Sequence, residues 1–225
     1  IFASQAVFQT GDLEINLLDT PGHVDFSSET ERVLQVLDYA ILVISGTDGV
    51  QAHTRTLWRL LSIYNIPTFI FVTKMDYSHI SREEIMAELK SELSEGCVDF
   101  TEENFSSALE EMAVSREDIL EEYLETGTIE KEKISEIIAS RQVFPCFFGS
   151  GLRLDGIDEF LIALETYIEE KKYPEAFGAR VFKITHDGKG NKLTHLKVTG
   201  GELKVKDTVI VGENEEKIDQ IRVYS

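Results

Sequence analysis

The sequence predicts an α/β fold with a mixed and mostly parallel sheet, followed by the start of an antiparallel β-barrel domain. Two observations support this prediction. Apolar runs at residues 39–44, 68–72 and 143–148 alternate with amphipathic helical segments, which is typical of a sheet covered by helices. After about residue 173 the apolar period changes from 3.6 to 2, and Gly-rich turns separate short strand candidates.

The predicted domain division follows this change of period. Residues 1–172 are expected to form the α/β domain, and residues 173–225 an incomplete barrel. An acid-rich helical insertion at about 77–142 lies between two sheet strands. A chain of 225 residues is long enough for one large domain and part of a second.

The amino-terminal strands are predicted at residues 6–10 and 13–18, with Gly11-Asp12 as a tight hairpin turn between them. We therefore expect one antiparallel pair at the edge of the sheet. The second of these strands is predicted to be buried and to deliver Asp19 to its carboxyl end. A helix is expected from Ser27, with acids in its first turn.

The next elements are a strand at residues 39–44 and a helix at 54–65. The strand is almost continuously apolar, so we expect helices to cover both of its faces. The helix carries an apolar face that includes Trp58, which we assign to the core rather than to a stacking platform for a ligand.

The insertion begins with Ser81 and Glu84 at the spacing of a capping box, which predicts a helix through about residue 93. Further helices are expected from about residues 115 and 130. Their Glu-rich outer faces are interpreted as solvated surface. Acids adjacent in sequence point to different sides of a helix, so they are poor candidates for paired acid–base catalysis.

The carboxyl-terminal part begins after a helix predicted at residues 155–170. Four strand candidates follow, at residues 179–184, 193–198, 208–211 and 218–223. These strands suit a small antiparallel barrel, but they are too few to close one.

Composition limits the classes of function. The chain has 22 Lys and Arg against 41 Asp and Glu, a net charge of -19, whereas proteins contact nucleic-acid phosphates through clustered Lys and Arg. We therefore expect no binding to DNA. Two isolated cysteines, Cys97 and Cys146, favour a reducing compartment over a disulfide framework. Because the sequence shows no membrane-length apolar run and no secretory signal, we expect no membrane partner and a cytoplasmic location.

Polar residues with the chemistry of a nucleotide site follow three predicted strands. Asp19 offers one carboxylate for a hydrated Mg²⁺, and Gly22 allows a backbone N–H to approach a phosphate oxygen. Asp76 can accept two N–H bonds from a guanine edge while the stem of Lys74 packs over the base. The small-residue turn at 149–152 can cap the same base. Ligands bind at the carboxyl ends of strands in open α/β sheets, so these turns predict a nucleotide site.

The motifs resemble those of translational GTPases. The segments 19–23 (Asp-Thr-Pro-Gly-His), 73–76 (Thr-Lys-Met-Asp) and 149–151 (Gly-Ser-Gly) resemble, in order and spacing, three of the five nucleotide motifs of that class. The segment 48–55 (Asp-Gly-Val-Gln-Ala-His-Thr-Arg) is similar to elongation factor G relatives, and most of all to tetracycline-resistance ribosomal protection proteins. Residues 201–207 also resemble the start of that family's second domain.

This resemblance implies a P-loop-GTPase-like fold, with GTP or GDP and Mg²⁺ as ligands. It also implies the ribosome as partner, contacted mainly through parts outside this chain that touch rRNA and ribosomal proteins. On the phosphate side, Asp19 would hold Mg²⁺ through water and the Gly22 N–H would sense the terminal phosphate. His23 would be the catalytic residue that orients the attacking water.

On the base side, the resemblance implies that Asp76 reads guanine, Lys74 packs on its plane and Ser150 supports the Asp76 loop. Two residues depart from the family pattern. Thr73 stands where Asn is usual, and its shorter hydroxyl is expected to support the phosphate loop less well. Gly151 stands where Ala is usual, which is expected to loosen the base pocket.

The sequence contains no Gly-x-x-x-x-Gly-Lys-[Ser/Thr] phosphate loop. The family places that loop upstream of a strand like residues 7–10, so the chain is interpreted as a piece of a larger protein, inactive and weak in nucleotide binding by itself. Three alternatives stay open: a housekeeping elongation factor G translocase, a release-factor GTPase, and a non-enzymatic GTPase-like scaffold.

Overall fold

The computed structural model describes residues 4–20, 27–212 and 214–223. Contacts divide the chain into two compact units. The larger unit consists of residues 10–13 and 37–170, and the smaller unit of residues 1–9, 14–36 and 171–225. The division predicted from sequence at residues 172 and 173 stays a prediction, since the smaller unit also includes residues near the amino terminus.

The larger unit is built on a four-stranded sheet in which every neighbouring pair is parallel. Along the sheet the strands follow the order β3 (Ala40–Ser45), β4 (Thr68–Thr73), β6 (Phe144–Phe148) and β5 (Cys97–Asp99). Strand β5 lies inside the predicted insertion and was missed from sequence, because three residues are too few to show a period.

Helices connect these strands. They are α2 (Ala52–Ile63), α3 (Arg82–Glu92), α4 (Phe105–Ala113), α5 (Glu117–Thr126), α6 (Lys131–Ala139) and α7 (Ile157–Tyr167), with a 3-10 turn at Glu102–Asn104. The capping box is confirmed: the Glu84 N–H donates to Ser81 Oγ at 3.2 Å, and the Ser81 N–H donates to the Glu84 carboxylate at 2.9 Å. The α/β fold class with its helical insertion is therefore confirmed.

The two faces of this sheet are covered unequally. On one face, Leu42 and Ile44 of β3 belong to a buried apolar cluster that continues across β4 and β6. On the other face, Phe160 of α7 packs near the rings of β4 and β6. On β3, however, Val43 is 60% exposed and Ile41 is 36% exposed. The prediction that this strand is covered on both faces is wrong, because α7 contacts the aromatic rings of β4 and β6 instead.

The smaller unit consists of short sheets and one helix. Its elements are β1 (Ser4–Thr10), β2 (Leu13–Asp19), α1 (Ser27–Leu34), β7 (Gly178–His186), β8 (Lys192–Gly200), β9 (Thr208–Val211) and β10 (Asn214–Lys217). Strands β7 and β8 pair antiparallel, as do β9 and β10. The expectation of antiparallel strands after residue 173 is confirmed.

Two expectations for the smaller unit are corrected. Strands β1 and β2 form a two-stranded sheet of their own instead of the edge of the parallel sheet, and Leu17 of β2 is 37% exposed rather than buried. The two-residue turn at Gly11-Asp12 lets these two strands pair with each other locally, and the outer edge of each strand keeps backbone groups that its partner does not bond. The last strand lies at Asn214–Lys217 and not at 218–223, because Asn214–Lys217 is the segment in register with Thr208–Val211; Ile218 then bonds to Lys206 and Asp207.

Candidate nucleotide-binding site

The first part of the candidate site is the loop that follows β4. The backbone of Lys74 has a φ of 61°, in the left-handed region that non-glycine residues rarely adopt. This turn reverses the chain directly after Thr73, and the Tyr77 N–H closes it by donating to the Lys74 carbonyl at 3.1 Å. The Met75 N–H donates to the Gly149 carbonyl at 3.0 Å, which attaches the loop to the end of β6. Lys74 is exposed, so its stem is free to cover a ligand.

The second part is the turn that follows β6. Ser150 and Asp155 exchange backbone hydrogen bonds, each N–H donating to the other's carbonyl at 3.1 Å. A Cβ added at Gly149 would lie 2.0 Å from the Asp155 carbonyl oxygen, so this closed turn has no room for a side chain there. Ser150 is 2% exposed and its Oγ accepts the Arg153 N–H at 3.4 Å. The serine therefore supports the turn from inside.

Thr73 and Gly151 connect the two loops. The Gly151 N–H donates to Thr73 Oγ1 at 3.3 Å. A Cβ added at Gly151 would lie 3.6 Å from the same oxygen, which is an ordinary van der Waals contact. The two residues that depart from the family pattern are thus neighbours, and the short threonine side chain fits against the glycine backbone.

Asp76 belongs to the loop that follows β4, and its side chain is 6% exposed. Neither carboxylate oxygen has a hydrogen-bond partner. The Nε of Arg153 lies 3.2 Å from Asp76 Oδ2, and the Arg153 side chain is 60% exposed. A buried carboxylate without hydrogen bonds is costly, and a ligand with two adjacent N–H donors would remove that cost.

A third loop joins the site from the end of β3. The Gly46 N–H donates to the Thr73 carbonyl at 2.7 Å, and Ser78 Oγ donates to the Gly46 carbonyl at 2.7 Å. Asp48 accepts a hydrogen bond from the Thr47 hydroxyl at 3.2 Å. Hydrogen bonds from Ser45 and Thr47 hold the pKa of Asp48 below its ordinary value, with a smaller contribution from the Lys74 charge.

The larger unit therefore brings together the base-side residues predicted from sequence: Thr73, Lys74, Asp76, Ser150 and Gly151. Sequence reasoning missed Arg153 and Ser78. In the sequence, nothing distinguishes these two residues from other polar residues. Their contacts depend on how separate loops meet. No local pattern carried that information.

The phosphate-side residues belong to the smaller unit. Asp19 is the last residue of β2 and is exposed. Gly22 and His23 lie outside the described residues. One exposed carboxylate at a strand end fits a Mg²⁺ ion held through water, since Mg²⁺ keeps several waters and takes one or two carboxylates. Within residues 4–20, 27–212 and 214–223, no three His, Cys, Asp or Glu side chains cluster as a direct metal site.

The sequence matches known proteins along most of its length. Residues 1–170 match the family model of the elongation factor Tu GTP binding domain. The tetracycline resistance protein TetM of Ureaplasma urealyticum is 33% identical to this chain, over 97% of the chain and 37% of TetM. The tetracycline resistance protein TetW of Butyrivibrio fibrisolvens is 32% identical, over 100% of the chain and 38% of TetW.

A solved structure from Thermus thermophilus matches with a TM-score of 0.82 and 20% identity, over 96% of this chain and 40% of that one. At this identity the likeness shows the fold alone. The chain spans less than two fifths of the length of the TetM and TetW relatives. In the part of the chain that the structure describes, no helix is both long and apolar enough to cross a membrane. The chain belongs to the family of elongation factor Tu GTP-binding domains.

Proposed function

We propose that this chain reads the guanine base in a ribosome-dependent GTPase, which hydrolyses GTP to GDP and phosphate to drive a conformational change on the ribosome. The observation that carries this proposal is the Asp76 carboxylate, 6% exposed and without hydrogen bonds, at the carboxyl end of a parallel sheet. Guanine presents N1–H and a 2-amino group side by side, and each of the two carboxylate oxygens accepts one of these donors. Adenine has no such pair on its edge.

On the phosphate side, we assign the roles that the family match suggests. Asp19 would hold Mg²⁺ through water, and the ion would supply positive charge beside the phosphate oxygens. The Gly22 N–H contacts the terminal phosphate, and His23 orients the attacking water. These 225 residues contain no Gly-Lys-[Ser/Thr] loop, so they offer no phosphate loop of that kind to the nucleotide.

The isolated chain should bind nucleotide weakly and hydrolyse little. A charge-assisted hydrogen bond contributes about 1.5–3 kcal/mol. Two such bonds contribute about 3–6 kcal/mol before the cost of association, and a millimolar dissociation constant corresponds to about 4 kcal/mol, so Asp76 by itself gives affinity near the millimolar range. Tight binding requires the electrostatics of a phosphate site.

Within this class, the TetM and TetW relatives favour a ribosomal protection factor over a housekeeping translocase, and the partner is then the ribosome in the cytoplasm. With a net charge of -19, this chain is unsuited to rRNA contact, so we place most rRNA contacts elsewhere in the complete protein. Growth in tetracycline of a sensitive strain that expresses the complete protein separates the two functions, since a translocase gives no protection.

The test of the base-reading role is Asp76→Asn in the complete protein, titrated with GDP and with xanthosine diphosphate. Asn has one acceptor and one donor group, which match the N1–H and the C2 carbonyl of xanthine but not the two donors of guanine. We expect the GDP affinity of the variant to fall about 10- to 100-fold, from the loss of one charge-assisted bond. Its affinity for xanthosine diphosphate should exceed its affinity for GDP.

The matched control is Asp155→Asn, which changes an exposed carboxylate of the neighbouring turn. It should leave both affinities unchanged. If GDP affinity is unaffected in Asp76→Asn, Asp76 does not read the base. In the same protein, His23→Ala should abolish ribosome-stimulated hydrolysis while GDP binding persists; undiminished turnover excludes the proposed role of His23.

A further inference from the structure

We propose that Arg153 occupies the base-reading carboxylate in the nucleotide-free chain and that guanine must displace it. This inference rests on the proposed function of Asp76 as the guanine reader. Its basis is the contact of 3.2 Å between Arg153 Nε and Asp76 Oδ2. The carboxylate is 6% exposed, whereas the arginine side chain is 60% exposed.

The guanidinium of Arg153 and the edge of guanine have the same chemistry. Both present two N–H donors on nitrogens that share one carbon, and both match the spacing of two carboxylate oxygens. Arg153 Nε lies 3.2 Å from Asp76 Oδ2, in the space that a guanine N–H donating to the same oxygen would need. Arg153 and guanine therefore exclude each other.

The local structure holds Arg153 at this place without burying it. The turn that carries it is closed by the backbone bonds between Ser150 and Asp155, and the Arg153 N–H donates to Ser150 Oγ. The neighbouring Leu152 and Leu154 are 81% and 70% exposed, so they do not confine the arginine side chain. Arg153 can leave Asp76 by rotating into solvent, while the turn keeps its backbone conformation.

The cost of this displacement is expected to be modest. Ion pairs with one well-exposed partner are weak, and pairs with a buried carboxylate are somewhat stronger. If Arg153 blocks the site part of the time, the apparent affinity for GDP falls in proportion to the fraction of chains in which the site is open. Removal of the arginine should therefore raise GDP affinity about two- to tenfold.

The experiment compares wild type, Arg153→Gln and Asp76→Asn in GDP titrations of the complete protein. Arg116→Gln is the matched control, because Arg116 also pairs with carboxylates, Asp118 and Glu136, but lies in the helical insertion. We expect tighter GDP binding with Arg153→Gln, weaker binding with Asp76→Asn and no change with Arg116→Gln. Thermal unfolding of each variant verifies that it is folded.

A second measurement uses guanosine, which carries no phosphate charge. Salt screens the Arg153–Asp76 pair, so guanosine affinity should rise with KCl in wild type and stay flat in Arg153→Gln. If Arg153→Gln binds GDP equally or more weakly while Asp76→Asn loses binding, the displacement is refuted and the base-reading role stands. If Asp76→Asn keeps full GDP affinity, the proposed function itself fails, and this inference fails with it.

Discussion

The two ends of strand β6 each carry an arginine over a phenylalanine ring, but the surroundings of the two arginines differ. At the amino end, the guanidinium carbon of Arg141 lies 4.9 Å from the ring centre of Phe144. At the carboxyl end, the guanidinium carbon of Arg82 lies 5.2 Å from the ring centre of Phe148. The two arginines therefore allow the two ends of one sheet to be compared.

At the amino end, Arg141 bonds to neutral groups. It donates to the Ile66 carbonyl and, at 3.1 Å, to Thr68 Oγ1, and its guanidinium also lies 5.1 Å from the Trp58 ring centre. Trp58 packs against the core cluster and donates through Nε1 to a backbone carbonyl at 2.9 Å, so its predicted core position is confirmed. Burial lowers the pKa of Arg141.

At the carboxyl end, Arg82 contacts two acids and a hydroxyl. Its Nη1 lies 3.1 Å from Thr101 Oγ1, 3.5 Å from Glu103 Oε2 and 4.0 Å from Asp99 Oδ2. The loops at this end also contain the candidate nucleotide site. The comparison indicates that neutral groups surround the arginine at one end of the sheet, whereas acids surround the arginine at the other end.

The largest expected effect is on stability at the amino end. Arg141→Met removes charge-assisted hydrogen bonds and the cation–π contacts, and we expect a loss of about 3 kcal/mol in the free energy of unfolding. Arg82→Met at the carboxyl end should cost about 1 kcal/mol, because the Arg82 side chain is itself 32% exposed and its Glu103 partner is 84% exposed. Urea unfolding of both variants measures the difference. Equal losses would contradict the contrast between the two ends.

An intermediate effect is expected within the carboxyl-end turn itself. Gly149→Ala would place a methyl group 2.0 Å from the Asp155 carbonyl oxygen, so the backbone must move, at a cost of about 1–3 kcal/mol. Gly151→Ala meets an ordinary contact of 3.6 Å and should be neutral or stabilising by up to about 1 kcal/mol. Thermal unfolding of the two alanine variants tests this. Strong destabilisation by Gly151→Ala would show that the turn is packed more tightly than these distances indicate.

The smallest effect concerns pH. Hydrogen bonds from Ser45 and Thr47 lower the pKa of Asp48 below its ordinary value of 3.8. Because the folded state binds this proton more weakly than the unfolded state, the contribution is complete above about pH 3.8 and is lost as pH falls through the folded pKa. Arg141 remains charged throughout, so the amino end adds no such slope.

Urea unfolding of wild type and Asp48→Asn at several pH values between 2 and 6 measures this contribution by difference. The stability of wild type over the variant should shrink toward acid pH. A constant difference across this range would show that these hydrogen bonds do not favour the charged form of Asp48.

Much of this molecule could be predicted from local sequence. The apolar runs of β4 and β6, the capping box at Ser81 and the antiparallel strands after residue 173 all follow from patterns of neighbouring residues. The contact between the loops after β4 and β6 was predicted in the same way, since parallel strands bring their carboxyl-terminal loops to one edge. The exposure of β3 was not predictable, because it depends on which strands α7 covers.

By itself, the sequence determined the α/β class, the order of the motifs and the placing of the predicted base-side residues in the loops after β4 and β6, because periodicity and turn residues act over a few positions. Only the tertiary structure decided the contact of Arg153 with Asp76 and the fit of Thr73 against the Gly151 backbone. Both contacts join residues more than 70 positions apart in the chain. Such contacts depend on how two loops meet in space, and no short segment of sequence encodes that geometry.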